Sequence, residues 1–148
     1  MPADADSRLL DLLSTHTRGV LTTLKRDGRP QSSNVIYAWD PATRTARVSV
    51  TADRAKTRNA ARDPRVSLHV SAADFWSYAV AEGDAELSPV AADPHDSTAD
   101  ELVDVYRQAT GTEHPDWAEF RRAMVAEHRR VLRIRTHRVY GMAELPRP

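Results

Sequence analysis

The sequence of 148 residues has no cysteine, no excess of either charge and no long apolar run. The missing cysteine excludes disulfides, thiolate metal sites and cysteine nucleophiles, and it agrees with a cytoplasmic location. Lysine and arginine together number 21, and so do aspartate and glutamate. No overall field therefore attracts nucleic acid or an anionic membrane, and any anion-binding site must be local.

The N-terminus does not have the composition of a secretion signal. Met1 to Arg8 contain two aspartates, where a signal peptide has a basic end followed by an apolar run. No later apolar stretch approaches the roughly 20 residues that a membrane-spanning helix needs. We therefore expect a cytoplasmic protein in which 1–148 form one domain.

Familiar catalytic motifs are also missing. The sequence has no Gly-x-Gly-x-x-Gly, no phosphate-binding Gly-Lys-Ser/Thr loop, no Gly-x-Ser-x-Gly elbow and no His-Glu-x-x-His. The six histidines are scattered, so we predict no metal site and assign no catalytic residue. Such a chain either binds an organic cofactor that performs the chemistry itself, or binds a ligand without reaction.

Alternation of apolar and polar residues predicts about six strands, joined mainly by short turns. They are Gly19–Leu24, Pro30–Trp39, Thr45–Thr51, Arg65–Ser71, Phe75–Leu87 and Arg130–Tyr140. Short turns favour antiparallel pairing, beginning as a meander, because parallel strands need long crossovers. An interruption at Glu82-Gly83 predicts a bent or bulged strand. The predicted fold is mainly β (α+β), an antiparallel barrel, closed or partly split, with peripheral helices.

Helical periodicity predicts three further helices besides the basic segment described below. The first is capped by Asp6 or Ser7 and ends near Thr15. A capping box at Ser97 begins another, which stops at Gly111, and the last fits Asp116 to Glu127. The Arg121-Arg122 and Arg129-Arg130 pairs are diluted by neighbouring acids, so we interpret them as solvated helix faces.

The segment from Arg47 to Asp63 changes from strand-like alternation to a basic, helix-like pattern. Arg54, Lys56 and Thr57 follow the predicted strand, and Asp63-Pro64 ends the helix. A strand that runs into a helix N-terminus leaves unpaired backbone N–H groups, which together with nearby cations form a site for phosphate or carboxylate. A surface helix with solvated arginines is the alternative.

Four segments, Gly19–Asn34, Arg54–Asn59, Trp76–Gly83 and Val139–Gly141, together resemble a known family. The sequence is similar to the flavin/deazaflavin oxidoreductases related to pyridoxamine 5'-phosphate oxidase, and more closely to their actinobacterial branch that uses coenzyme F-420. The similarity runs from Arg8 to Gly141. It implies an FMN-binding split β-barrel that forms a homodimer with cofactor grooves at the subunit interface.

The resemblance also implies which residues bind the cofactor. Arg54 and Lys56 match the residues that hold its phosphate, and Thr57 and nearby backbone N–H groups, including that of Ala55, add hydrogen bonds. Positions that match those facing the ring system are Gln31, Ser33, Asn34, Ser49 and Val50. Trp76 and Tyr78 match aromatic residues near the dimer interface that the opposite subunit supplies, with ordinary core aromatics as the alternative.

The implied reaction is hydride transfer from the reduced deazaflavin to an electron-poor double bond of a small organic substrate, with Tyr140 or water as a candidate proton donor. An oxidase that uses FMN on pyridoxamine phosphate is one alternative. A cofactor-binding protein without a reaction is another. Nucleic-acid binding is a third, and the balanced charge gives little reason to expect it.

Overall fold

A computed structural model describes residues 5–143. In chain order the elements are α1 (Ala5–Thr15), β1 (Arg18–Leu24), β2 (Pro30–Ile36), β3 (Ala38–Asp40), β4 (Thr45–Thr51), α2 (Ala55–Arg62), β5 (Arg65–Ser71), β6 (Tyr78–Leu87), α3 (Ser97–Thr110), α4 (Trp117–Ala126) and β7 (Arg129–Met142). None of the helices within this range is both long and apolar enough to cross a membrane. The expectation about a secretion signal rests partly on residues 1–4, which lie outside the described residues.

The seven strands form one antiparallel sheet in the order β2-β1-β5-β6-β7-β4-β3. Its two edge strands, β2 and β3, are separated in the chain by Tyr37 alone. The chain therefore crosses from one edge of the sheet to the other within a single residue, and the sheet curls into a split barrel. The antiparallel split-barrel prediction is confirmed. The strand predicted over Pro30–Trp39 is two strands, and each half belongs to one hairpin of the predicted meander.

Tyr37, at the break between β2 and β3, is fully buried and tied to α1. Its hydroxyl donates a hydrogen bond to the Leu13 carbonyl oxygen over 2.6 Å, and burial raises the pKa of its phenol. Leu9, Leu12 and Leu13 of α1 join the barrel core beside it. The hydrogen bond and these contacts fix the kink at which the barrel closes.

Alternate residues of each strand fill the barrel, whereas a second apolar cluster lies outside it. The second cluster joins α3 and α4 to β3 and β7 and contains Ala38, Ala91, Leu102, Val105, Met124 and Val131. Asp96 caps α3 by accepting a hydrogen bond from the Ala99 N–H, so the cap is one residue before the predicted Ser97. Gly111 ends α3 in the left-handed conformation, as predicted.

The predicted irregularity in β6 is present. The pairing of β6 with β7 shifts register between Glu82 and Gly83, and a Cβ atom on Gly83 would overlap the Arg135 carbonyl. The strand begins at Tyr78 rather than at the predicted Phe75, because Phe75 has a φ of +73° that no extended strand contains.

Candidate functional site

A groove of about 490 Å³ lies between the barrel and the hairpin formed by α3 and α4. On the barrel side it is lined by Asn34 at the end of β2 and by Ser49 of β4. Lys56 of α2 and Arg129 of β7 are the charged residues among the described ones that line it. Because Arg129 pairs with Thr51, just before α2, both cations lie at the α2 end of the groove.

The N-terminus of α2 has backbone N–H groups that no carbonyl oxygen of the helix accepts. Arg54 is its N-cap, and its carbonyl oxygen accepts hydrogen bonds from the Thr57 and Arg58 amides. The amides of Ala55 and Lys56, in the first turn, have no acceptor within the helix. The Thr57 hydroxyl donates to the Thr51 carbonyl oxygen over 2.7 Å. In this structure Thr57 thus fastens the helix start to β4, and a direct phosphate contact from it stays a prediction.

Lys56 is a half-buried cation with no carboxylate partner in the part of the chain that the structure describes. Burial, and then the charges of Arg54 and Arg129, lower its pKa. Within residues 5–143 no carboxylate forms an ion pair with it, whereas Arg129 is paired with Glu127 at 3.0 Å. A desolvated ammonium group beside two guanidinium groups is stabilised when an anion binds.

A buried amide fixes α2 against the barrel. Asn59 donates hydrogen bonds to Thr23 Oγ1 at 3.1 Å and to Gln31 Oε1 at 3.0 Å, and it accepts one from Arg62 Nη2 at 2.9 Å. The resemblance did not assign Asn59 a role. Its place next to Ala60 on the apolar face of a basic helix is the sequence signal that marks it as buried.

The residues predicted on β2 do not share one face of the strand. Asn34 is exposed and lines the groove, while Gln31 and Ser33 point to the opposite face with the buried Val35. Gln31 is engaged with Asn59. The Ser33 hydroxyl is buried, and no described residue forms a hydrogen bond with it. Of the two inward residues, Ser33 is the one with free hydrogen-bonding capacity.

On β4 the two predicted residues also alternate. Ser49 lines the groove, whereas the Val50 side chain belongs to the barrel core and is 1% exposed. Only the backbone of Val50 is therefore available to a ligand outside the barrel.

The structure does not bring Trp76 and Tyr78 to the groove of their own chain. Trp76 lies in the turn before β6, where it is 68% exposed beside the equally exposed Phe75. It is therefore not a core aromatic. Tyr78 stacks on His69, with ring centroids 5.2 Å apart.

Tyr78 belongs to a surface that we call the outer sheet face. Its larger side chains lie on five neighbouring strands and are those of Ile36, Val20, His69, Tyr78, Val80, Tyr140 and Met142. Arg18, Asn34 and Ser71 lie among them, and Val80 is buried. Ile36 and Met142 are 56% and 51% exposed. Tyr140 also lies on this face, with the Arg138 guanidinium over its ring, and does not line the groove of its own chain.

The interpretation of Arg129-Arg130 as a solvated helix face is wrong. Both residues begin β7, because α4 ends at Ala126. Arg129 lines the groove, and Arg130 Nε donates to the Ser88 carbonyl oxygen at 2.8 Å. Sequence spacing did not reveal that the start of β7 lies beside the start of α2.

Comparisons with known proteins agree with this geometry. The family model described as Pyridoxamine 5'-phosphate oxidase matches residues 5–143. A solved F-420 reductase is 26% identical with a TM-score of 0.65, covering 95% of this chain and 98% of that one. The conserved hypothetical protein Rv2991 from Mycobacterium tuberculosis has a TM-score of 0.72 at 22% identity, covering 95% of this chain and 85% of its own.

A heme binding protein from Mycobacterium smegmatis shares the fold at 21% identity, with a TM-score of 0.69 over 99% of this chain and 57% of that one. Proteins of this fold thus differ in the group they hold. Because the family model spans every described residue and the barrel has the same architecture, this chain belongs to the pyridoxamine 5'-phosphate oxidase family of flavin- and deazaflavin-binding split barrels.

Proposed function

We propose that this protein is an oxidoreductase that holds coenzyme F-420 in the groove and reduces an electron-poor double bond of an organic substrate. The observation that carries the proposal is Lys56, a half-buried cation with no carboxylate partner among the described residues, at a helix N-terminus. The bound deazaflavin would supply a hydride, because such cofactors carry the chemistry and the protein supplies orientation. The F-420 reductase with the same fold supports this choice of cofactor.

The α2 end of the groove would bind the phosphate. Lys56 and Arg54 provide charge, and the amides of Ala55 and Lys56 provide donors aligned with the helix dipole. Each charge-assisted hydrogen bond of this kind contributes about 1.5–3 kcal/mol. Thr57 acts by keeping this turn attached to β4.

The barrel side would bind the ring system. Asn34 and Ser49 present an amide and a hydroxyl to the groove. Val50, whose side chain lies in the barrel core, would contribute only backbone atoms next to Ser49. Ser33 faces the other side of β2, so its hydroxyl is not assigned a contact with a cofactor held in the groove. Gln31 contributes indirectly, since its oxygen holds the Asn59 amide and through it the position of α2.

We further propose that the working unit is a homodimer that buries the outer sheet face. The exposed apolar side chains of Ile36 and Met142 on this face favour its burial against a second copy. A second copy would also account for Trp76 and Tyr78, which lie away from the groove of their own chain and would approach that of the partner. The whole chain, 1–148, would act as one domain in the cytoplasm.

The alternative cofactor is FMN, which carries a phosphate and a ring of similar shape. Its use would make the protein an oxidase that produces peroxide in air. A protein that binds either cofactor and converts no substrate would be a carrier. The same residues at α2 would bind the phosphate in an F-420 reductase, an FMN oxidase or a carrier. The relative affinity for the two cofactors and the formation of reduced substrate or peroxide distinguish these functions.

The test is a calorimetric titration of the purified protein with F-420 and with FMN. We expect tighter binding of F-420, and a loss of at least tenfold, about 1.4 kcal/mol, in both Arg54→Ala and Lys56→Ala. Arg26→Ala is the matched control, because it removes the same charge from the exposed turn between β1 and β2. Absence of binding of either cofactor to the wild type contradicts the proposal.

A further inference from the structure

The two sides of the groove differ in chemistry. The barrel side carries the polar groups of Asn34 and Ser49 among the apolar residues Val35, Ile36 and Val48, with Lys56 at its end. The opposite side, which we call the helix wall, consists chiefly of apolar side chains of α3 and α4: Leu102, Val105, Tyr106, Ala109, Phe120 and Met124. The cofactor site proposed above uses the barrel side and the α2 end of the groove, which leaves the helix wall free for another ligand.

The rings of the helix wall are fixed in place from behind. Tyr106 and Phe120 contact each other edge to face, with centroids 5.3 Å apart. Behind them Trp117, which does not line the groove, contacts Tyr106 at 5.5 Å and Phe120 at 5.4 Å. His114 lies against all three rings. Rings held this firmly lose little conformational entropy when a ligand packs against them.

Two cations of the α3–α4 hairpin, Arg107 and Arg121, are paired with acids away from the groove, and Arg122 does not line it. Arg107 lies over the Trp117 ring at 4.9 Å and donates two hydrogen bonds to Glu113, at 2.7 and 3.0 Å. Arg121 donates to Asp100 and to the Pro94 carbonyl oxygen. The described residues of the helix wall therefore present no charge to a ligand. An anionic ligand placed there would lose hydration without gaining a partner.

We propose that the helix wall, through Tyr106 and Phe120, selects the substrate and favours an uncharged, planar, conjugated molecule over a phosphorylated or carboxylated one. This inference rests on the proposed function, since it assigns the substrate to the side of the groove that faces the cofactor. The rings of Tyr106 and Phe120 are half-buried and give the groove two aromatic surfaces against which a flat molecule packs. The selectivity comes from aromatic contact and from the absence of a cation, and Tyr106 needs only its ring.

The experiment measures binding of two probes with the same ring system, 1,4-naphthoquinone and 1,4-naphthoquinone-2-sulfonate. Titrations of both probes use the protein saturated with oxidised F-420 or FMN, so that no turnover occurs and Lys56 is occupied by the cofactor; the quinone is also titrated without cofactor. With cofactor bound, we expect the uncharged quinone to bind at least tenfold more tightly than the sulfonate. Equal or tighter binding of the sulfonate overturns the proposal.

Substitutions then locate the quinone. Tyr106→Leu and Phe120→Leu should each weaken its binding at least fivefold, whereas Tyr106→Phe, which keeps the ring, should bind as the wild type does. Trp117→Leu is the matched control, because it loosens the same cluster without removing a ring that faces the groove. A loss in Trp117→Leu as large as that in Tyr106→Leu, or no loss in either groove-facing variant, refutes the contact. Thermal unfolding of each variant identifies any that fails to fold. If a leucine variant does not fold, the affinity of Tyr106→Phe for the quinone and the affinity of the wild type for the sulfonate test the proposal instead.

The outcomes separate this inference from the proposed function. If F-420 or FMN binds in a Lys56-dependent way and quinone binding is indifferent to Tyr106 and Phe120, the helix wall does not select the substrate and the cofactor assignment stands. If neither cofactor binds, the proposed function fails. In that case, weaker quinone binding by Tyr106→Leu still identifies the helix wall as a ligand surface. Unchanged quinone binding by Tyr106→Leu refutes the helix wall as well as the proposed function.

Discussion

The side-chain amide of Asn59 donates a hydrogen bond to Gln31 Oε1 over 3.0 Å and so joins α2 to β2. The same amide donates to Thr23 Oγ1 of β1. One buried residue therefore fixes α2 relative to the strand whose end lines the groove. If the proposed cofactor site is correct, this contact would couple the position of a phosphate at α2 to that of a ring beside β2.

A double-mutant cycle tests that coupling. Asn59→Ala should lower the free energy of unfolding by about 2 kcal/mol, because it leaves Gln31 and Thr23 without their donor, and Gln31→Ala by about 1 kcal/mol. The double variant should lose less than the sum by about 0.5–1 kcal/mol, measured by urea denaturation. Gln108→Ala, at an exposed position on α3, is the control and should be additive with Asn59→Ala. Strict additivity of Asn59 and Gln31 would show that the two residues are independent.

The charge of Lys56 should stabilise the complex with the cofactor and destabilise the cofactor-free protein. Burial and the neighbouring Arg54 and Arg129 disfavour its charged form, so its pKa is lowered from the ordinary value of 10.5. Lys56→Met, which keeps length and removes charge, should raise the Tm of the free protein and weaken F-420 or FMN binding at least tenfold. Arg26→Met should change neither quantity.

The lowered pKa of Lys56 predicts how the stability of the protein changes with pH. Since its folded pKa is lowered, the unfolded state binds more protons in the interval below 10.5, and stability rises with pH there. Lys56→Met should remove that rise. A lower Tm together with unchanged cofactor affinity would identify Lys56 as a packing residue and not as an anion ligand.

Asp63, at the end of α2, should make the protein sensitive to acid. Hydrogen bonds from the Arg65 side chain and backbone lower the pKa of Asp63 from 3.8 to about 2. Its contribution to stability is therefore complete above the unfolded value and is lost as pH falls through the folded value. The difference in unfolding free energy between the wild type and Asp63→Asn should be constant above about pH 5 and shrink between about pH 4 and pH 2. Asp11→Asn, at an exposed position on α1, is the control. Parallel acid profiles of the wild type and Asp63→Asn would contradict the prediction.

Local periodicity predicted the strands well where burial alternates strictly. Thr45–Thr51 and Arg65–Ser71 have the predicted bounds, because valines or leucines at every second position allow one register only. The break at Tyr37 was not predictable in this way. The break results from closure of the barrel, because the residues predicted as one strand form β2 and β3 at opposite edges of the sheet. The pocket for the Tyr37 ring comes from the distant α1.

The candidate site was predicted in part, for a related reason. Matching a motif transfers neighbouring residues together, yet neighbours on a strand point to opposite faces, which is why Asn34 lines the groove and Ser33 does not. Arg129 and the helix wall were missed because they come from β7, α3 and α4, distant in sequence from α2. Only the folded chain places them on one groove.

Mixing two variants that each bind the cofactor weakly tests whether the partner subunit completes each groove. Lys56 lies in the groove, and Trp76 is exposed on the turn before β6, away from it. If Trp76 closes the partner's groove, Lys56→Ala and Trp76→Ala homodimers should each bind F-420 or FMN at least tenfold more weakly than the wild type. Refolding the two together should restore one intact site in each mixed dimer, because one chain then supplies Lys56 and the other Trp76.

Sedimentation equilibrium should show dimers for both variants, and Met142→Asp on the outer sheet face should produce monomers that bind weakly. Thr22→Asp, on the polar part of the same sheet surface, is the control for the added charge. Mixed preparations that bind no better than either parent would show that the two residues do not serve one site across an interface.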